Sequence, residues 1–283
     1  MNPRTALPTR LKRFLVGFAC VVFGVQAWAG VDASIAESLL RKSGLWSQLA
    51  DVASQVRSGT LAAVARGRTR PSEAEMERIS RAIASAYAAH GLRSACVAAL
   101  SRDLDPAHVA ALLSWYDGPN GQAISRLEEG QSRQSAQTTL DQGAALLQGM
   151  PSSRRRVLEE AVLATRSAEL MTEMSIGMAL AAQLGAASAS PHAAGPSLRE
   201  LKDALEARRH DYMRSFTALS LAAFAATYAS LSDADLEKYV DFLKSQAGQH
   251  YVAVTGRAFS AAMLNAAAHL ARTAPGFRDK ANT

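Results

Sequence analysis

The chain has 283 residues, a formal net charge of +6 and only 6% aromatic residues. Its positive excess is concentrated at the start: Arg4, Arg10, Lys12 and Arg13 fall within residues 1–29, which hold no acidic residue. Beyond them, 27 basic residues face 25 acidic ones, so net charge gives no case for a nucleic-acid partner.

The first segment reads as a secretory signal. Its basic start is followed by an apolar run from Phe14 to about Val25, and Ala27-Trp28-Ala29 supplies the small residues of a cleavage site. The run is shorter than the roughly 20 residues of a membrane span. The expected product is a periplasmic chain cleaved after Ala29, with no transmembrane segment left. Cys20 leaves with the signal, and Cys96 becomes the one cysteine of the exported chain. It sits in the run CVAAL and reads as a small buried hydrophobe.

Helical patterns follow in order. Ile35, Leu39 and Leu40, then Trp46, Leu49, Val52 and Val56, carry helical spacing with a break at Ser43-Gly44. Ser72 and Glu75 form a capping-box pattern for a helix running toward His90, which Gly91 should stop. A short helix is expected near Ser94–Leu100. The stretch Glu128–Thr139 is polar and predicts a poorly buried helix. Long helices are expected over about 153–185 and 198–229, with a low-complexity loop at 186–197 and a frayed tail from Ala274. No run of alternating β-branched residues calls for a sheet.

The strongest organising signal is a repetition. Residues 104–124, LDPAHVAALLSWYDGPNGQAI, align without a gap on 231–251, LSDADLEKYVDFLKSQAGQHY, at an offset of 127. Leu104, Ala107, Gly121 and Gln122 recur as Leu231, Ala234, Gly248 and Gln249. Asp105 and Ser232 are N-cap residues, and Pro106 suits a first helical position. Positions 109, 112, 113 and 116, and their mates 236, 239, 240 and 243, form one apolar helix face. Trp115, Tyr116, Gly118, Pro119, Gly121 and Gln122 then make a corner into another helix, as do Phe242, Ser245, Gly248 and Gln249. A glycine kept in both first turns, where alanine favours the helix by up to about 1 kcal/mol, predicts a close backbone approach. Nearly every motif residue has a structural job. The predicted architecture is all-α: two tandem homologous helical units, 30–150 and 151–273, with a tail at 274–283.

These motif residues resemble a family of bacterial exported helical proteins, domain of unknown function 2059, whose members carry an aromatic pair followed by Ser-Pro-x-Gly. The first copy matches at Trp115, Tyr116, Gly118, Pro119, Gly121 and Gln122. The second departs from the pattern at Leu243 and Gln246. The resemblance implies a helical bundle of the cell envelope and brings no catalytic residue with it.

Chemistry-bearing patterns are sparse. Met171, Met174 and Met178 share helical spacing, which suits Cu(I) thioether ligation or the filling of core gaps. The six histidines form no HExxH pair. Glu128-Glu129 and Glu159-Glu160 are sequence neighbours, and spacing does not make them an acid–base pair. Arg66, Arg68 and Arg70, and Arg154–Arg156, read as solvated surface. No metal, cofactor or catalytic residue is predicted. The expected function is non-catalytic binding or scaffolding, toward another envelope protein or an apolar ligand. The alternatives are an enzyme acting on envelope material through a dispersed site, or an envelope chaperone.

Overall fold

Asp32 caps the first helix, its carboxylate accepting from the Ser34 N–H at 2.8 Å. The computed structural model describes residues 30–66, 72–189 and 197–273; the expected signal segment and the expected tail after Thr273 lie outside them. Every regular element among the described residues is helical.

α1 (Ala33–Lys42) and α2 (Leu45–Arg66) meet at Gly44, whose φ of +76° turns the chain between them. α3 (Glu73–Ala86) starts at the capping box of Ser72 and Glu75. It ends at Tyr87, before the expected stop: Gly91 lies inside the first turn of α4 (Ala89–Asp103). Tyr87 is buried in the core at that boundary. Asp105 caps a short 3₁₀ turn at Pro106–His108, which leads into α5 (Val109–Asp117) and α6 (Pro119–Ser132). The polar stretch after Glu128 breaks at Arg133, and Ser135 caps α7 (Ala136–Gln148).

The second half is helical as well. The predicted 153–185 helix is two helices, α8 (Ser152–Ala164) and α9 (Ser167–Ala189), separated at Arg166, whose φ is +52°. α9 runs past Ala186, into the stretch expected to be a loop. The predicted 198–229 helix is likewise split, into α10 (Leu198–Ala207) and α11 (Arg209–Thr227). Ser232 caps α12 (Asp233–Lys244), and α13 (Gln246–Thr273) closes the described chain. No helix among the described residues is long and apolar enough to cross a membrane.

α4 lies against α1 and α2, as α11 lies against α8 and α9; the corner α5–α6 has its counterpart in α12–α13. Two buried clusters result, and each borrows from the other half. The first gathers Leu39, Leu40, Ile83, Leu100 and Leu112 around Tyr251, Val254, Ala258 and Met263 of α13. The second gathers Leu158, Ala161, Leu221, Leu236 and Val240 around Ile124 of α6, with Leu147 of α7 packed beside it. α7 lies so close to α11 that a Cβ on Gly143 would fall 1.8 Å from the Ala222 carbonyl oxygen. Only a glycine permits that approach. The apolar cores thus cross the Met150–Pro151 junction between the halves.

Candidate functional site

The two corners are built alike. Gly118 and Ser245 take nearly the same backbone conformation, with φ/ψ of −75°/159° and −64°/157°. In each, the glycine three residues on packs against the end of the preceding helix. A Cβ would lie 2.2 Å from the Trp115 carbonyl oxygen at Gly121 and 2.1 Å from that of Phe242 at Gly248. Gln122 then donates to the Asp117 carbonyl at 2.9 Å, and Gln249 to the Leu243 carbonyl at 2.6 Å. Gln249 reaches further, donating to Ala164 O at 2.9 Å and so holding the end of α8. Pro119 occupies the first turn of α6, and the Ser245 hydroxyl accepts from the Gly248 N–H at 3.0 Å.

The aromatic mates of the two motifs also touch. Trp115 and Phe242 stack with ring centroids 4.4 Å apart and planes 4° from parallel. Tyr116 sets its ring edgewise to both Phe242 and Tyr251. The stack joins the two cores, because Phe242 packs against both clusters.

Beside it lies the carboxyl of a half-buried residue. Glu128 of α6 accepts on one oxygen from the Tyr228 hydroxyl at 2.7 Å and from the Tyr239 hydroxyl at 2.9 Å. Burial pushes its pKa above the usual carboxyl range, and the two phenol donors pull it only part of the way back. Burial likewise raises Tyr228 and Tyr239, which keeps both hydroxyls protonated as donors. In the stretch expected to be poorly buried, Glu128 is half-buried with its carboxyl held by two hydroxyls, and Thr139 is buried. Gly121, Ile124 and Ser125 mark the buried face of α6, and Glu128 is the next position along it. That spacing was a usable signal.

A groove opens elsewhere, between α2, the end of α6, the α8–α9 junction and α13. It encloses about 770 Å³. Leu45, Leu49, Val52, Leu170, Phe259 and Leu264 form its apolar walls. Polar groups sit among them: Gln55 of α2 donates to the Ser132 carbonyl at 3.1 Å, and the Ser132 hydroxyl donates to Asp51 at 2.7 Å. Arg166 borders the groove at its left-handed backbone position and pairs with Glu169 at 2.5 Å. A left-handed non-glycine residue costs roughly 1–2 kcal/mol. Its N–H donates to Leu163 O at 3.1 Å, which partly satisfies the exposed end of α8.

Other residues singled out from the sequence fall in varied places. Cys96 is buried in the first cluster, and burial pushes its thiol up to about 11. The methionine stripe splits: Met174 is buried, whereas Met171 and Met178 are exposed, so their thioethers do not converge. His108 and His250, which differ in motif position, come together with ring centroids 5.0 Å apart. The His250 imidazole accepts from the Asp105 N–H at 3.0 Å, tying α13 to the start of the 3₁₀ turn. Arg154 corrects the solvated reading of its cluster. It pairs with Asp233 and donates to the Tyr228 carbonyl at 2.7 Å, because the C-terminal end of α11 has carbonyls to satisfy. Arg155 fits the surface reading, paired to Glu159 at 3.2 Å. Arg68 and Arg70 lie outside the described residues.

The chain matches no protein-family model, no curated protein and no solved structure. Its geometry is what bears on its function.

Proposed function

We propose that this protein is an exported, non-catalytic binding module of the bacterial cell envelope, built of two related helical units, which holds an apolar ligand in the groove beside α13. The groove carries the reading. Its volume of about 770 Å³ and its Leu, Val and Phe walls suit a small apolar molecule; such sites typically enclose about 300–1,000 Å³. The carboxyl most enclosed by aromatic hydroxyls, Glu128, is not part of its lining, so the acid and the cavity are separate features.

The wider reading has its own support. Export to the periplasm rests on the basic, apolar and small-residue order of residues 1–29. Two related units are supported by the matched corners, the matched helix pairings and the stacking of Trp115 on its motif mate Phe242. The likeness to the exported helical family rests on the same corner residues.

Gly256 supplies the test. It lines the groove, and a Cβ there would meet nothing closer than the Leu170 methyls at 4.0 Å. Gly256→Leu should fill the groove without disturbing the backbone. A neutral fluorescent probe, N-phenyl-1-naphthylamine, should bind the parent saturably and lose most of its affinity for the variant at unchanged melting temperature. No saturable binding to the parent, or equal binding to both, refutes the proposal.

A further inference from the structure

The groove's charge points to the class of ligand. Four ionised side chains line it: Arg166, Glu169, Glu173 and Arg257. Arg166 and Glu169 neutralise each other at 2.5 Å. Glu173 is held by Arg209 from outside the groove at 2.6 Å. Arg257 differs. Among the described residues it forms no ion pair, and it is exposed. Asp103 feels its charge, but Arg102 already grips that carboxylate through two hydrogen bonds of 2.7 Å. An apolar trough with one uncommitted guanidinium on its wall is the complement of an apolar chain with one negative end.

We infer that the ligand is a single-chain amphiphile with a carboxylate head, its chain on the Leu, Val and Phe walls and its head on Arg257. The inference rests on the groove being the ligand site. A guanidinium can donate two parallel hydrogen bonds to a carboxylate. A cationic head finds no free partner, because both groove carboxylates are already paired. A bilayer surface is a poorer fit: membrane recognition uses clusters of about 4–8 basic residues, and this wall offers one uncommitted arginine.

The test uses the purified full chain and displacement of the neutral probe. Palmitate, hexadecanol and hexadecyltrimethylammonium present one chain length with three heads. Palmitate should bind at least about tenfold tighter than hexadecanol, a gap of about 1.4 kcal/mol, and the cation weakest. Arg257→Gln should shrink the palmitate–hexadecanol gap to less than about threefold, and Arg257→Lys should keep part of it. Both variants alter an exposed side chain and should melt with the parent. If hexadecanol binds as tightly as palmitate, or Arg257→Gln leaves the gap intact, the carboxylate assignment is wrong. The groove reading then still stands on the neutral probe and Gly256→Leu. Sedimentation with phosphatidylglycerol vesicles that palmitate does not compete away would overturn the single-molecule ligand in favour of a membrane surface.

Discussion

Replacing Gly121 or Gly248 by alanine adds one methyl group, and the structure decides its sign. In an open helix position the exchange stabilises, because glycine costs about 0.8–1.0 kcal/mol relative to alanine. At Gly121 the new Cβ would lie 2.2 Å from the Trp115 carbonyl oxygen and 2.9 Å from the Tyr116 Cα. At Gly248 the corresponding distances are 2.1 Å to Phe242 O and 3.1 Å to the Leu243 Cα. Each is more than an ångström short of ordinary contact at its nearest atom, and the obstacles are backbone. No rotamer change relieves them; the two helices of the corner must part. Overpacking of this kind costs about 1–3 kcal/mol, occasionally more, and a clash with main chain belongs at the upper end. After the propensity gain is subtracted, a net loss of about 2 kcal/mol is expected for each variant. In a chain of this size that lowers the melting temperature by about 4–8 °C. Gly59 is the control: it sits in α2 with nothing within 4 Å of an added Cβ, so Gly59→Ala should gain up to about 1 kcal/mol. Thermal melts followed by circular dichroism read all three. Gly121→Ala and Gly248→Ala melting at or above the parent would show that the corners are not tightly packed.

Further outcomes follow from the interior. Glu128 has its pKa raised on folding, so the folded state holds its proton more tightly, and stability should fall as pH rises from the ordinary glutamate range through the raised value. Glu128→Gln, which can still accept from both tyrosines, should flatten that part of the pH–stability curve; an unchanged curve would refute the linkage. Trp115→Phe keeps the stack on Phe242 and removes an indole N–H that is buried without a hydrogen-bond partner, so it should melt near the parent, whereas Trp115→Ala should lose about 3–5 kcal/mol. Cys96 should react slowly with a thiol reagent at pH 7 until denaturant is added, since its thiol is buried and titrates only at about 11; rapid labelling of the native chain would contradict its position. Residues 30–150 expressed alone should fail to melt cooperatively, and should regain a transition when mixed with 151–283, because α13 supplies part of the first core.

Local structure was legible where its causes are local. The capping box at Ser72, the N-caps at Asp105 and Ser232 and the break at Gly44 depend on a few neighbouring residues, and all are present. The apolar stripe was readable as well: Leu112 is buried in the first cluster, and Leu236, Tyr239, Val240 and Leu243 are buried in the second. What depends on distant partners was not. Glu128 looked like a surface acid beside Glu129 because its partners, Tyr228 and Tyr239, lie at least 100 positions away. Arg154 looked like one of three surface arginines until α11 and α12 supplied a carbonyl and a carboxylate. α3 ends early at the buried Tyr87, and helices that periodicity alone runs together break at Arg166 and Arg208. The groove left no sequence signal, since residues from four separate helices line it.

The exchange of helices explains where the groove lies. If each half closed its own core, α6 and α7 would cover the first and α13 the second. In the fold α13 lies on α3 and α4 as well as on α9 of its own half, and α7 lies on α11. Within the halves, α2 packs on α6 and α9 packs on α13. The groove runs between those pairs, with Ser132 of α6 and Phe259 of α13, equivalent positions at the repeat offset, both in its lining. The pairs are not equal. α13 continues unbroken through the positions where α6 gives way to α7 at Arg133. It brings Val252, Phe259 and Leu264 to the groove together with Thr255, Arg257 and Ser260, and the first pair brings Leu45, Leu49 and Val52 together with Gln48, Gln55 and Ser132. Both walls thus mix apolar and polar side chains, and the four charged ones all lie on the side of the second half. The groove therefore lies where α2 and α6 of the first half face α9 and α13 of the second, and neither Gly121 nor Gly248 of the two corners is in its lining.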